Sequence, residues 1–408
     1  MSSICFYFQV HQPYRIKKFR HVNIGSGEDY FGEKDDQQLN NEWILNKVAL
    51  KSYLPANALW LELLNRHPKL KISYSISGIA LEQFIKYAPE VIKSFQKLVD
   101  TGRVEILSET YYHSLSFLYS RDEFVRQIEK HRNLIETTLG ISPSIFRNTE
   151  LIYNNDIAHI VSRLGYSGML MEGADAVLGW RSPNFVYEAE HEKDLKLLLK
   201  NYKLSDDIAF RFSSPDWNER PLTAEKFAQW LNQINGNGEI VNLFMDYETF
   251  GEHQWESTGI FNFLNKLPEE LLKHPDNDFV TPSEAIEKYN AVGRLDVPDY
   301  VSWADVDRDL SAWQENAMQQ DALRALFELE GMANESNDKK IIEDWRKMTT
   351  SDHFYYMCTK WFSDGDVHAY FNPYESPYDA YRYFMNALTD LKLRLSSQTA
   401  HAQSARIR

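Results

Sequence analysis

Seven short apolar runs, each halted by polar residues and alternating with helix-length segments, restrict the fold of this chain more than any other feature. The runs are ICFYFQV (4–10) before His11, LKISYSI (70–76) before Ser77, RVEIL (103–107) before Ser108-Glu109, and SIFR (144–147) before Asn148-Thr149-Glu150. YSGMLM (166–171) before Glu172, IAFRF (208–212) before Ser213, and EIVNLFM (239–245) before Asp246 complete the set. Near-continuous apolarity suits strands buried on both faces, as in a parallel sheet. The segments at 54–66, 80–100, 120–138, 155–164, 223–235 and 259–273 repeat apolar residues every three or four positions, which predicts helices. The pattern predicts an α/β fold, an incomplete TIM-like (β/α)7 barrel over 1–282, with DFVTP (278–282) as a brief further strand. Residues 172–207 read as an excursion over the barrel mouth. Beyond 283 strand signals fade, so a helical domain completing the cleft is expected over 283–395, with a frayed tail over 396–408.

Barrels of this kind collect reacting groups at the C-terminal ends of their strands. His11, Glu109, Glu150, Glu172 and Asp246 all fall there. Other chemistries find little support. A formal net charge of −15 disfavours nucleic acid as a partner. Two cysteines, Cys5 and Cys358, make no disulfide framework. HExxH and CxxC spacings are absent, so no metal and no cofactor is expected. Serine-hydrolase and nucleotide signatures are missing too. The N-terminus lacks a signal-peptide pattern and no stretch reaches membrane-spanning length, so the expectation is a cytoplasmic protein without membrane contact. Oligomeric state is not legible.

Carboxylates are what remain. Two acids facing one another across a barrel mouth perform glycoside hydrolysis, one as nucleophile and the other as proton donor. From pattern alone, a pair of surface or ion-paired acids is an equal alternative.

Ordered motifs extend this reading. VHQPYR (10–15), GRVEIL (102–107) with YYHSL (111–115), FRNTELIY (146–153), MDYETFGEH (245–253) and VSWADVDRDLSAWQENAMQ (301–319) resemble the five motifs of glycoside hydrolase family 57, in its α-amylase branch. LSDDIAFRFS (204–213) and MTTSDHFYYM (348–357) are similar to the same branch. The resemblance implies a retaining enzyme acting on α-glucans or maltooligosaccharides, with Glu150 as nucleophile and Asp246 as general acid/base. It also implies substrate contacts from His11, Glu105, His113, Arg211, His253, Trp255, Trp303, Asp352 and His353, with Trp313 a further stacking candidate. Each has a plainer reading, as a core histidine, a structural ion pair or a packed indole. One departure stands out: many members carry Trp or Pro ahead of the nucleophile, where this chain has Arg147-Asn148-Thr149.

Water as acceptor would make the chain an amylase, and another glucan hydroxyl a 4-α-glucanotransferase or branching enzyme. The amylase-like fifth motif and the want of a large C-terminal β-domain favour hydrolysis. An inactive carbohydrate-binding homologue predicts loss of a carboxylate, and both are present. A metal-dependent deacetylase or mannosidase predicts clustered ligands after the first strand, where HQP supplies one.

Overall fold

The computed structural model describes residues 2–360 and 367–406. Among the described residues ten strands occur in order: β1 (Ser3–Val10), β2 (Ile72–Ile76), β3 (Val104–Ile106), β4 (Ile145–Arg147), β5 (Gly168–Glu172), β6 (Tyr187–Ala189), β7 (Glu192–Lys200), β8 (Ile240–Asp246), β9 (Asp278–Phe279) and β10 (Arg294–Leu295). Seven of them close a parallel barrel in the order β1-β2-β3-β4-β5-β7-β8. Most neighbours pair in regular parallel register. Two seams are sparser: Ser108 bridges β3 to Phe146 of β4, and between β7 and β8 the Asn201 amide donates to the Asn242 carbonyl and Asn242 Nδ2 to the Leu199 carbonyl, each at 2.9 Å. β9, from the expected DFVTP run, pairs β1 in parallel.

The strand count matches the sequence expectation, but the sixth strand is a different stretch. Residues 208–212, read as a strand, lie in a wide helical turn over Asp207–Arg211 and its C-cap. The barrel strand is β7, from the supposed excursion, and it folds back on β6 as an antiparallel hairpin. Leu195, Leu197, Leu198 and Leu199 are all buried. Leucine and lysine favour helix in isolation, and burial between neighbouring strands overrides that preference.

Alternation along β1 sorts its side chains. Cys5 and Tyr7 join the barrel core with Leu107, Ile145, Leu170, Leu198 and Phe244. Phe6 and Phe8 face outward onto Trp60, with ring centroids 5.8 and 5.5 Å away. Every residue of β1 is buried, as a strand covered on both faces requires. Each such aromatic contributes roughly 1.5–3 kcal/mol by leaving water.

The chain divides into two compact units. The barrel unit comprises Met1–His11, Leu45–Glu109 and Ile128–Trp303, and the other comprises Gln12–Ile44, Thr110–Gln127 and Ala304–Arg408. The expected boundary at 282 therefore falls short: β10 pairs β6, and Val301 pairs Tyr153. Two early segments belong with the helices. Within that unit, Asp390 accepts from the Tyr30 hydroxyl and the Gly25 amide, each at 2.6 Å, and Arg346 binds Glu123 at 2.9 Å. The expected frayed tail is helical as far as it is described, within a helix of Pro377–Arg406.

Candidate active site

The alternation that fills the barrel core also sets what lines its mouth. Ile145 is a core residue of β4, so Arg147 takes the inward position one step further on. By the same count Glu172 follows Leu170 on β5, Lys200 follows Leu198 on β7, and Asp246 follows Phe244 on β8. Gln9 follows Tyr7 on β1 and stands in register with Asp246. Each of these strands thus carries an inward polar or charged side chain at or next to its C-terminal end.

The layer is cross-linked. Gln9 donates from Nε2 to Glu109 at 2.9 Å and accepts from the Tyr7 and Ser75 hydroxyls. The Glu109 amide donates to Nδ1 of buried His131 at 3.3 Å, and His131 Nε2 reaches the Ile76 carbonyl at 2.8 Å. A carbonyl only accepts, so His131 is the neutral Nε2–H tautomer, in keeping with burial lowering its pKa. Lys200 lies 2.9 Å from Asp206 and 3.7 Å from Glu172.

Glu150 sits above this layer in an unusual backbone state. Its φ and ψ are 57° and 27°, and Leu151 follows with φ 52°. Two successive residues with side chains in the left-handed region cost on the order of 1–2 kcal/mol each, and such strain gathers at functional sites. The surroundings hold it there. Tyr153 and Val301 exchange amide hydrogen bonds at 2.9 Å, and the Trp303 amide donates to the Glu150 carbonyl at 3.2 Å. The Trp303 indole then donates to Glu150 Oε2 at 2.7 Å.

Glu150 and Asp246 leave strands on opposite sides of the ring. β1, β2 and β3 separate β4 from β8 one way, and β5 and β7 the other. Beside Asp246, Glu248 is buried and accepts at Oε1 from the His11 amide (3.2 Å) and the Tyr53 hydroxyl. Burial, then the Asp246 charge, raises the Glu248 carboxyl to about 8. Between its ordinary value of 4.5 and about 8 the folded chain holds a proton that the unfolded chain has lost, so this group lowers stability as pH rises through that window. Glu248→Gln keeps the acceptor and removes the effect. Its Tm relative to wild type should climb from pH 5 to pH 8 in thermal melts, and a flat difference would refute the assignment.

The other expected contacts divide. His11 belongs to the barrel unit, its Nδ1 2.8 Å from Ser77 Oγ. His253 follows the same loop as Asp246, and burial pulls its pKa to about 4. Trp255 is 61% exposed, an open indole with Lys51 Nζ 5.7 Å from its ring centroid. Glu105 is the middle residue of β3, and its Oε2 accepts from Ser283 N (2.9 Å) and Oγ (3.1 Å) at the start of the helix Pro282–Lys288, a structural task. Arg211 is tied to its own turn through Asp207 (2.6 Å) and the Lys203 carbonyl (2.7 Å). His113, Asp352, His353 and Trp313 belong to the second unit. There the His113 carbonyl accepts from the Ser351 amide, His353 Nε2 lies 3.2 Å from the Lys347 carbonyl, and Trp313 is fully buried.

Arg147, Lys200, Gln9 and the Trp303–Glu150 hydrogen bond escaped the sequence reading. Counting by twos from the apolar runs could have flagged Arg147. Lys200 needed β7 to be recognised as a strand. Among the described residues no group of three or more His, Cys, Asp or Glu is placed to hold a metal, and no helix is long and apolar enough to cross a membrane.

Comparison with known proteins bears on the family and the fold. Residues 5–298 match the profile of Glycosyl hydrolase family 57. A Methanocaldococcus jannaschii protein named "Putative alpha-amylase" is 42% identical over 411 residues, covering 98% of this chain and 86% of the relative. An alpha-amylase from Pyrococcus horikoshii is 31% identical over 49% of this chain, which there spans only 34% of the longer relative. Among solved structures, a family 57 branching enzyme from Pyrococcus horikoshii superposes with a TM-score of 0.68 at 16% identity, covering 91% of this chain and 88% of that one. An alpha-amylase from Thermotoga maritima gives 0.61 at 12% identity, covering 98% and 93%. At such identities the structural likeness speaks for the fold, an incomplete (β/α)7 barrel. The extent of the profile match and the 42% relative together decide the matter: this chain belongs to glycosyl hydrolase family 57.

Proposed function

We propose that this protein is a retaining α-amylase-type enzyme that cleaves α-1,4-glucosidic bonds by double displacement. The observation that carries the reading is Glu150, strained into the left-handed region, its carboxylate anchored by the Trp303 indole at the barrel end where Asp246 also emerges. In the first step a Glu150 oxygen attacks the anomeric carbon. As the glycosidic bond breaks, Asp246 gives its proton to the departing oxygen. Asp246, now a base, takes a proton from water, which displaces Glu150 and frees the sugar.

A proton donor needs a raised affinity for its proton, and a nucleophile needs to stay charged. Their environments differ accordingly. Asp246 is coupled to the buried Glu248 carboxyl, and the two acids do not both take charge readily, so a proton is kept at this pair. Glu150 lies against an indole donor that itself packs on two cations. The name carried by the 42% relative supports an amylase over other α-glucan chemistry.

Incubation with maltooligosaccharides of single lengths, followed by proton NMR during the first turnovers and by product sizing, tests this. The first-formed reducing ends should be α-anomers and every product shorter than the substrate. β-anomers would overturn retention. Longer products beside shorter ones would replace hydrolysis with glucan transfer, and no turnover on any α-glucan would sink the enzyme reading.

A further inference from the structure

Arg147 is an anomaly that the mechanism above does not use. It is wholly buried, and Nε and both terminal nitrogens of its guanidinium lack a hydrogen-bond partner among the described residues. An unpaired buried cation ordinarily costs several kcal/mol, so a fold retains one only against a compensating field. Its position supplies a reason. Arg147 ends β4 facing inward, three residues before Glu150, and its guanidinium carbon lies 4.7 Å from the Trp303 ring centroid. Lys200 Nζ lies 5.4 Å from the same centroid. That ring is the one whose N–H grips Glu150.

We propose that Arg147, assisted by Lys200, is a positioning residue that keeps the Glu150 carboxylate anionic and aimed, acting through the Trp303 indole. A cation on the face of an indole is bound by the ring's electron density and draws on it. The N–H at the ring edge becomes a stronger donor, and a charge-assisted hydrogen bond to a carboxylate favours the ionised form. Positive charge nearby acts in the same sense directly. The two cations are not equivalent. Lys200 is shared with Glu172 and Asp206, which neutralise much of its charge, whereas Arg147 makes no such pair among the described residues. The charge of Arg147 also acts on the Tyr7 hydroxyl, as do the charges of Glu109 and Asp246. These acids compete with Glu150 for the same field, which makes the indole link the selective one.

The inference rests on Glu150 being the nucleophile, and the test keeps the two apart. Turnover of maltooligosaccharides is followed by reducing-end release between pH 4 and pH 9 for wild type, Arg147→Met, Arg147→Lys, Trp303→Phe and Arg147→Met/Trp303→Phe. Arg147→Met should move the acid limb of kcat/KM upward by roughly one pH unit, the scale of losing one nearby opposite charge. Arg147→Lys should restore part of that shift. Trp303→Phe keeps a ring for the cation but deletes the donor, and should shift the limb similarly. The double variant should then shift no further than Trp303→Phe alone. If Arg147→Met lowers Tm but leaves the acid limb and kcat in place, the residue is structural and the inference fails. If the Met variant does not fold, Trp303→Phe with an unmoved acid limb overturns it equally. Loss of activity in Glu150 variants alongside an unmoved limb would reject only this proposal. Activity surviving in those variants would reject the mechanism beneath it.

Discussion

Glu150→Gly should lose activity by on the order of 10⁴-fold or more in kcat while the protein stays folded, because a missing nucleophile removes the whole first step. Glycine is the informative replacement. The site holds φ at 57°, which costs a side-chain-bearing residue about 1–2 kcal/mol and glycine almost nothing. That relief offsets most of the lost Trp303 hydrogen bond, worth about 1.5–3 kcal/mol net when the acceptor is charged. Tm should therefore stay within a few degrees of wild type, so an inactive variant cannot be explained by unfolding. Azide separates the roles further. With 4-nitrophenyl α-maltoside, azide entering the space left by Glu150 attacks the anomeric carbon, expels nitrophenolate and gives a β-glycosyl azide. In Asp246→Asn the nitrophenolate leaves without proton help, the glycosyl-enzyme forms, and azide displaces Glu150 to give the α-azide. Kinetics on natural maltooligosaccharides should show a 10²–10⁴-fold fall for Asp246→Asn, the usual scale of general acid catalysis. Opposite azide anomers from the two variants assign nucleophile and acid/base. The same anomer from both, or full activity in either, would remove the assignment.

Gly251→Ala is the second large effect, and it acts on the loop that follows Asp246. Gly251 has φ 107°, and a Cβ there would lie 1.9 Å from the Lys51 carbonyl oxygen and 2.8 Å from its carbon. Both are backbone atoms of a helical segment (Ala49–Tyr53) that cannot step aside as a side chain tip would. Two further contacts weld that segment to the same loop. Tyr53 binds Glu248, and Ser52 Oγ donates to the Tyr247 carbonyl at 3.4 Å. Displacing Gly251 must therefore move Glu248 and, with it, Asp246. A destabilisation of roughly 3–5 kcal/mol follows from backbone overlap added to an unfavourable φ. Activity measured well below the variant's Tm should fall at least ten-fold. Chemical denaturation checks the first figure, and a wild-type midpoint would show that the loop can relax without passing the strain to the site.

The chain illustrates how unevenly a sequence reports its fold and its chemistry. Buried parallel strands advertise themselves as unbroken apolar runs, and β1, β2, β4, β5 and β8 were legible for that reason. β7 was not. Its lysines and leucines carry no strand preference of their own, and the run IAFRF, which does, is turned into helix where Asp207 binds Arg211 across one turn at 2.6 Å. The unit boundary was hidden for a related reason. Segments 12–44 and 110–127 follow barrel strands in sequence, yet their side chains pair with late helices, Tyr30 with Asp390 and Tyr112 with Glu343.

What the sequence determined by itself was the period of burial, and through it most of the barrel strands and the acids that follow them; the resemblance of ordered motifs then singled out Glu150 and Asp246. Local alternation is written residue by residue, so it survives without knowledge of neighbours. Only the tertiary structure decided which other groups meet those carboxylates. Closure of the ring turned Arg147 inward, and pairing of Val301 with Tyr153 carried Trp303 across 153 residues to hold Glu150. It also sent Glu105 to cap a helix instead of joining the site. Hydrogen bonds and charges act through space over a few ångströms, and no spacing along a chain encodes that distance until the fold has closed.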